Sequence, residues 1–221
     1  MKRKIVLTKD GSSSIYLPDK DEHYHSTHGA VQESMHVFIK NGLYRFINQK
    51  DKIDILEVGF GTGLNAILSL ISTESHKAKI NYHGIEPFPI SPDELDQLNY
   101  DEFLDNEFAQ SNLQKMHSIP FNQWHSLNSN FDLIKYNHPL LDCSFSTKFD
   151  LVYYDAFGPR AQPEMWALAP LEYVVSHLRN KGVFVTYCVK GSVKRNLQKL
   201  GLEVEKLPGP PGKREMMIAR F

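Results

Sequence analysis

The chain is poor in cysteine and has no long apolar run. Only two of its 221 residues are cysteines, Cys143 and Cys188, and both lie in or beside apolar segments. We therefore expect two reduced thiols rather than a disulfide or a metal site. No apolar run approaches the roughly 20 residues of a membrane-spanning helix, and the basic N-terminus lacks the apolar stretch of a signal peptide. A cytoplasmic protein without membrane contact is the expectation.

The chain also lacks a strong net charge. A formal net charge of -1 at pH 7 argues against a protein that coats itself with nucleic acid. The charges are unevenly distributed, however. Residues 86–110 contain eight acidic and no basic side chains, whereas residues 181–221 contain nine basic and three acidic ones. This asymmetry either orients a polyanion toward one face or reflects two ordinary solvated faces of opposite sign.

The length favours one α/β domain with a small addition at its N-terminus. Polar turn clusters surround a short apolar run in residues 1–28, which predicts an N-terminal extension that includes a possible hairpin. The main domain would then cover residues 29–221, starting with a helix that ends at Asn41-Gly42. His23, His25 and His28 lie close together in the extension, but no cysteine or patterned carboxylate joins them, so no metal site is predicted.

From residue 53 onward, predicted strands alternate with predicted helices. The strands are expected at residues 53–58, 80–86, 131–136, 149–155, 183–188, 202–207 and 215–221, and the helices after residues 63, 91, 170 and 191. One helix is expected to run from Pro170 to Leu178 and to end at Asn180-Lys181-Gly182. Such alternation predicts a mostly parallel, doubly wound sheet, and the short Gly/Pro loop before the last strand predicts a closing antiparallel hairpin. This order is typical of Rossmann-like class I methyltransferases.

A glycine-rich loop, E-V-G-F-G-T-G at residues 57–63, joins the first of these strands to its helix. Glycine is needed where a strand turns tightly into a helix and a ligand approaches the backbone. The spacing departs from the G-x-G-x-x-G of dinucleotide enzymes, which disfavours a nicotinamide-dependent oxidoreductase. An acid before the glycines suits the α-ammonium group of S-adenosylmethionine, and an acid after the next strand suits its ribose hydroxyls. The predicted cofactor-binding residues are Glu57, Gly59, Phe60, Gly61, Gly63, Asn65, Glu86 and Asp155.

Asp155 is the candidate catalytic residue. It ends an apolar strand, and ligands of open α/β sheets bind at the carboxyl ends of the strands. An aspartate there is costly unless it is paired or functional, so it either holds a target amine for in-line methyl transfer or caps a helix or pairs with a local arginine. Phe157 would stack on a base or form a wall of the pocket, and Pro159 would stiffen the loop.

Several segments, in order along nearly the whole chain, resemble one family. The matching segments are Tyr24-His25-Ser26, Gly29-Ala30, Glu33-Ser34, His36-Val37-Phe38-Ile39, Gly42-Leu43, residues 56–65, Asp155-Ala156-Phe157-Gly158-Pro159, Gln162-Pro163-Glu164-Met165-Trp166, Thr186-Tyr187-Cys188, Gly191-Ser192-Val193-Lys194-Arg195-Asn196-Leu197 and residues 209–216. They resemble the tRNA 5-methylaminomethyl-2-thiouridine methyltransferases of the MnmC/MnmD type. The resemblance is to the stand-alone form, without the FAD oxidase domain.

The resemblance implies methyl transfer from S-adenosylmethionine to the amine of 5-aminomethyl-(2-thio)uridine at the tRNA wobble position. A separate enzyme would supply that precursor. His25 and Ser26 would line the substrate pocket, by resemblance alone. The phosphate-binding candidates in the basic C-terminal third are Lys190, Lys194, Arg195, Lys213 and Arg214.

Three points stay open at the level of sequence. The residue that contacts adenine is expected within residues 117–143, but no pattern assigns it. A methyltransferase that acts on a small-molecule or protein amine would share every cofactor feature. A catalytically silent RNA-binding protein could retain the fold, although it would have no need of Asp155 at a strand end.

Overall fold

The computed structural model describes residues 2–104 and 106–221; Met1 of the predicted extension and Asp105 of the acidic stretch lie outside the described residues. At the N-terminus, β1 (Lys4–Leu7), β2 (Ser13–Leu17) and β3 (Glu22–His23) form a small antiparallel sheet in that order. Ile15 and Leu17 of β2 are fully buried and belong to the same apolar cluster as Ile53 of the main sheet. The three strands therefore share their core with the residues that follow.

A helical segment follows the small sheet. Helix α1 (Ala30–Ser34) continues as one π-helical stretch, Met35–Lys40, and a 3₁₀ turn, Leu43–Arg45, comes next. The segment stops where the sequence predicts, because Asn41 donates a side-chain hydrogen bond of 2.7 Å to the carbonyl of His36. A Cβ on Gly42 would lie 2.3 Å from the carbonyl oxygen of Phe38, so the chain can turn there only with glycine.

The central sheet has eight strands. They are β4 (Lys52–Val58), β5 (Lys79–Ile85), β6 (His125–Asn128), β7 (Phe131–Tyr136), β8 (Phe149–Tyr154), β9 (Leu178–Thr186), β10 (Glu203–Pro208) and β11 (Glu215–Arg220). Their order is β10-β11-β9-β8-β4-β5-β7-β6. The central five strands are parallel, whereas β11 is antiparallel to both β9 and β10. The predicted class, a mostly parallel sheet that ends in an antiparallel hairpin, is confirmed.

Helices cover both faces of this sheet. They are α2 (Leu64–Thr73), α3 (Pro92–Leu95), α4 (Ala109–Ser118), α5 (Leu168–Ser176) and α6 (Gly191–Lys199). Alternate residues of β4 enter two separate cores, with Ile53 and Ile55 in one and Leu56 and Val58 in the other. This alternation explains why apolar residues occur on both faces of the strand. No helix within residues 2–104 or 106–221 is both long and apolar enough to cross a membrane.

Two local predictions are wrong. Helix α5 starts at Leu168 and ends at Ser176, rather than running from residue 170 to residue 178. The turn signal at residues 180–182 lies inside β9, where Lys181 adopts a φ of 67° and the pairing with β8 shifts register. A bulge in a strand and the end of a helix favour the same residue types, so the sequence pattern alone did not separate them. In addition, β6 was not predicted, because it is short and mostly polar.

Candidate functional site

The glycine-rich loop connects β4 to α2 at the point where the chain order of the sheet reverses, between β4 and β8. Gly59, Gly61 and Gly63 have φ values of 94°, 54° and 78°. A Cβ on Gly59 would lie 2.5 Å from the carbonyl oxygen of Asp155, so glycine permits the ends of β4 and β8 to approach each other. Crevices at such reversal points are where open α/β sheets bind ligands.

A cavity of about 250 Å³ opens beside this loop. That volume lies near the lower end of the range of small-molecule sites, roughly 300–1,000 Å³. Its wall is formed by residues 58–62, 64–65, 85–88, 139–140, 155–157, 162 and 164–165 together with Tyr24 and His25. Of the predicted cofactor-binding residues, the cavity wall includes Gly59, Phe60, Gly61, Asn65, Glu86 and Asp155.

The other two predicted cofactor-binding residues, Glu57 and Gly63, lie behind the wall. Glu57 is fully buried, and its carboxylate accepts hydrogen bonds of 2.8 Å from Asn65 Nδ2 and 2.9 Å from the Tyr82 hydroxyl. Asn65 stands between Glu57 and the cavity, and the predicted interaction of Glu57 with the α-ammonium group, direct or through water, stays a prediction. Gly63 makes the turn into α2, where a Cβ would crowd His117 at 3.2 Å.

Glu86 follows β5 and reaches the cavity. Its two carboxylate oxygens accept backbone hydrogen bonds from Gly61, at 2.8 Å, and from Phe88, at 2.9 Å. Burial raises the pKa of this carboxyl, and the two backbone donors oppose that effect. Each oxygen keeps a second lone pair for a ligand hydroxyl. Glu86 thus has the position and the acceptor capacity that its predicted role requires.

The region that the sequence left unassigned contributes Pro139 and Leu140 to the cavity. They come just after β7, and Pro87 and Phe88, which come just after β5, also line the cavity. These apolar side chains form a part of the wall that is suited to contact a flat ring. The only signal in the sequence was their place directly after a predicted strand.

Asp155 projects into the cavity from the end of β8. Its Oδ2 accepts a hydrogen bond of 2.8 Å from Asn65 Nδ2. Burial raises the pKa of this carboxyl well above its usual range, the nearby carboxylate of Glu33 adds to the rise, and the Asn65 bond and Lys213 oppose it. In the described chain, neither an arginine nor a helix N-terminus binds this side chain. The two structural roles expected for Asp155, capping a helix and pairing with an arginine, therefore have no partner group among the described residues.

The predicted substrate-binding residues separate into two groups. His25 and Phe157 line the cavity, and Tyr24, which was not predicted, packs edge-on against Phe157 with ring centroids 5.0 Å apart. Burial lowers the pKa of His25 to about 4, so its imidazole is neutral at physiological pH. Ser26 and Pro159 are not part of the cavity wall, and a role in binding the substrate stays a prediction for both. The backbone of Ser26 instead donates a hydrogen bond of 2.6 Å to Glu33.

Lys213 is not a free cation. It forms an ion pair with Glu33, whose side chain is only 7% exposed, and its Nζ lies 4.2 Å from the ring centroid of Tyr187. The Tyr187 hydroxyl donates a hydrogen bond of 2.8 Å to the carbonyl of Ala156, next to Asp155. This ion pair weighs against the predicted contact of Lys213 with phosphate, because the charge of Lys213 is used inside the protein. Glu33 and Tyr187 lay in motifs that matched the resembling family, but their roles were missed.

The remaining predicted phosphate contacts lie outside the cavity. Lys190, Lys194 and Arg195 surround the N-terminal turn of α6, which comes after the carboxyl end of β9, and Arg214 is exposed in the loop before β11. Within residues 2–104 and 106–221, none of these four side chains forms an ion pair with an acidic group. They remain available for an external anion.

Comparison with known proteins decides the family. Residues 99–221, more than half of the chain, match the model of a family described as S-adenosyl-L-methionine-dependent methyltransferase. The chain belongs to this family. S-adenosyl-L-methionine is accordingly the methyl donor of this methyltransferase, and the predicted cofactor is confirmed.

The resemblance found in the motifs is also confirmed. A protein of Leptospira interrogans is named tRNA 5-methylaminomethyl-2-thiouridine biosynthesis bifunctional protein MnmC. It is 32% identical in an alignment of 212 positions that covers 91% of this chain and 33% of that protein. A protein of the same name from Cupriavidus metallidurans is 29% identical in an alignment of 226 positions, gaps included, that covers 98% of this chain and 33% of that protein. The methyltransferase thus spans about a third of the length of the curated relatives it matches.

One solved structure resembles the whole chain. The crystal structure of MnmC2 from Aquifex aeolicus matches with a TM-score of 0.83 and 24% sequence identity, and the match covers 99% of this chain and 70% of that one. At this level of identity, the similarity shows a common fold.

The cavity of this methyltransferase fits its donor. The glycine loop leaves room where side chains would intrude, since a Cβ on Gly61 would lie 3.3 Å from the Tyr24 ring. Glu86 offers acceptors for ribose hydroxyls, and the Oδ1 atom of Asn65 is buried without a hydrogen-bond partner. A buried carbonyl oxygen left in this way is suited to a donor group such as the α-ammonium.

Proposed function

We propose that this methyltransferase methylates the amine of 5-aminomethyl-(2-thio)uridine at the wobble position of tRNA. The observation that carries the proposal is the position of Asp155, a half-buried carboxyl group in the wall of the donor cavity, where it can accept a hydrogen bond from an amine. The names of the curated relatives, which match 91% or more of the chain, support the same substrate.

The cavity residues divide the work of holding the donor. Glu86 would bind the ribose hydroxyls, Pro139 and Leu140 would contact the adenine ring, and Asn65 would face the amino-acid end. When bound, the donor supplies a methyl group on a sulfonium, which is already activated toward attack. The protein therefore has to position the amine more than to activate the methyl group.

Asp155 would position the target amine. Its carboxylate accepts a hydrogen bond from an N–H of the neutral amine and so aims the nitrogen lone pair at the methyl carbon. As the C–N bond forms and the S–C bond breaks, the sulfur keeps the electron pair and positive charge develops on nitrogen, where the carboxylate stabilises it. The new secondary ammonium then releases its proton to water. Tyr24 and Phe157 would cover the reacting groups and restrict the entry of solvent.

The tRNA backbone would run along the surface at α6. Lys190, Lys194, Arg195 and Arg214 carry the free positive charge that phosphate binding requires. Lys213 is excluded from this set because Glu33 neutralises it. A separate enzyme would supply the aminomethyl group, since no part of the proposed chemistry builds it.

The proposal is tested with purified protein, labelled methyl donor and tRNA from cells that cannot methylate this amine. We expect label in 5-methylaminomethyl-(2-thio)uridine after nuclease digestion, and none when the tRNA lacks the aminomethyl group. Free alkylamines and bulk cell protein serve as competing acceptors. Label in those acceptors and not in tRNA would overturn the proposed substrate, while leaving the family assignment intact.

A further inference from the structure

Asn65 bridges two acids of the site, Glu57 and Asp155. It is the second residue of α2, its side chain is 3% exposed, and it forms part of the cavity wall. Its Nδ2 atom donates hydrogen bonds of 2.8 Å to both Glu57 Oε1 and Asp155 Oδ2. One side-chain amide therefore connects the acid before the glycine loop with the acid that faces the substrate.

The same contacts fix the orientation of the amide. An NH₂ group has two N–H donors, and the two carboxylates use both. The reversed amide would direct its oxygen at those two groups and remove the hydrogen bond that each of them accepts. The Oδ1 atom is therefore held in place, and it is buried with no hydrogen-bond partner. A buried acceptor without a partner costs free energy until a ligand supplies a donor.

The ionisation of Asp155 depends on Asn65 because the charged neighbours of Asp155 oppose one another. Glu33 from α1 and Glu57 from β4 are acidic, Lys213 approaches from the loop between β10 and β11, and the hydroxyls of Tyr82 in β5 and Tyr187 after β9 lie nearby. Burial and Glu33 favour the protonated carboxyl. Asn65 is the group that donates a hydrogen bond directly to the charged form, so it favours ionisation.

We propose that Asn65 is a positioning residue that couples the methyl donor to Asp155. Its carbonyl oxygen accepts a hydrogen bond from the donor's α-ammonium group, while its amide nitrogen donates the hydrogen bond that positions the Asp155 carboxyl group and favours its ionised form. The second half rests on the proposed function; the first half requires only the family's donor. Glu57 then acts through Asn65, by keeping the amide in the required orientation.

Two variants separate the two roles. Asn65→Ala removes both the acceptor and the donor, whereas Asn65→Asp keeps an acceptor toward the ligand and places an oxygen against Asp155. Donor affinity is measured by titration calorimetry, and the pKa of Asp155 by NMR of ¹³C-labelled aspartate, with Asp155→Asn used to assign the signal. Ser69→Ala, one turn further along α2, is the matched control, since the Ser69 hydroxyl bonds only to the Asn65 carbonyl and, at 3.3 Å, to Tyr153.

For Asn65→Ala we expect the Kd of S-adenosylmethionine to rise about tenfold or more, as for the loss of a charged hydrogen bond. The Asp155 signal should titrate at a higher pH than in the wild type. For Asn65→Asp the Kd should stay within about threefold, while the Asp155 titration again moves to higher pH. Ser69→Ala should change neither quantity.

An unchanged Kd in Asn65→Ala would overturn the role toward the donor. An unmoved Asp155 titration in both variants would overturn the role toward Asp155. If Asn65→Ala fails to fold, Asn65→Asp still decides, because loss of donor binding by this near-isosteric variant contradicts the proposal. Neither readout uses tRNA, so failure of the wild type to methylate tRNA would reject the proposed substrate without affecting this test.

Discussion

Lys213 and Glu33 form an ion pair between residues that are 180 positions apart in the sequence. Lys213 lies in the loop between the last two strands, and Glu33 lies in α1 just after the N-terminal sheet. The pair lies beside Tyr187, which is hydrogen-bonded to the residue after Asp155. Segments near the two ends of the chain therefore meet close to Asp155, the candidate catalytic residue.

The first prediction concerns this ion pair. Lys213→Ala should lower the free energy of unfolding by about 3 kcal/mol, because it leaves the buried Glu33 carboxylate without its partner. The double variant Glu33→Gln/Lys213→Met should recover most of that loss, since no buried charge remains. Denaturant unfolding checks both values. An equal loss of unfolding free energy in the single and the double variant would contradict this role of the ion pair.

The second prediction concerns the glycine loop. Gly61→Ala and Gly201→Ala both place alanine at positive φ, so each should cost about 1 kcal/mol of stability. Only at Gly61 does the added methyl group enter the donor cavity, whereas a Cβ on Gly201 meets nothing within 4 Å. Calorimetry should show weakened binding of S-adenosylmethionine for Gly61→Ala and wild-type binding for Gly201→Ala. Equal affinities would show that the donor does not approach Gly61.

The third prediction concerns the surface at α6. If Lys194 and Arg195 contact phosphates, replacing either by alanine should reduce the slope of log K against log salt for tRNA binding by about 1. Lys148→Ala is the control, because Lys148 directly precedes β8 and Asp155 directly follows it, so that the two residues lie at opposite ends of this strand. Filter binding over a range of salt concentrations measures the slopes. An equal change for Lys148→Ala would mean that only net charge matters.

The fourth prediction concerns His83, which packs among aromatic rings in the sheet. Burial lowers the pKa of His83 to about 4 from an ordinary value of 6.5. As the pH falls below 6.5, the unfolded chain binds a proton at this residue and the folded chain does not, so stability is lost. Relative to His83→Gln, the wild type should lose about 2 kcal/mol between pH 7.5 and pH 5. If the stabilities of the two proteins change in parallel with pH, the lowered pKa of His83 in the folded protein is contradicted.

The sequence predicts the sheet and the strand-end acids because both depend on local patterns. Apolar strands mark β4, β5 and β8, and position at a strand end was sufficient to place Glu86 and Asp155 in the cavity. The Lys213–Glu33 pair depends on contacts between distant segments, which no local pattern encodes. The indirect position of Glu57 depends on the rotamer of Asn65, and a short polar strand such as β6 leaves no periodic signal.

Mass analysis of wobble uridines tests the central claim most directly. It compares cells that lack this protein with the same cells that express the wild type or Asp155→Ala, after calorimetry has established that the purified variant binds the donor like the wild type. We predict that 5-aminomethyl-(2-thio)uridine accumulates without the protein, that the wild type converts it to the methylated form, and that Asp155→Ala does not. An identical nucleoside profile in all three strains would contradict the account.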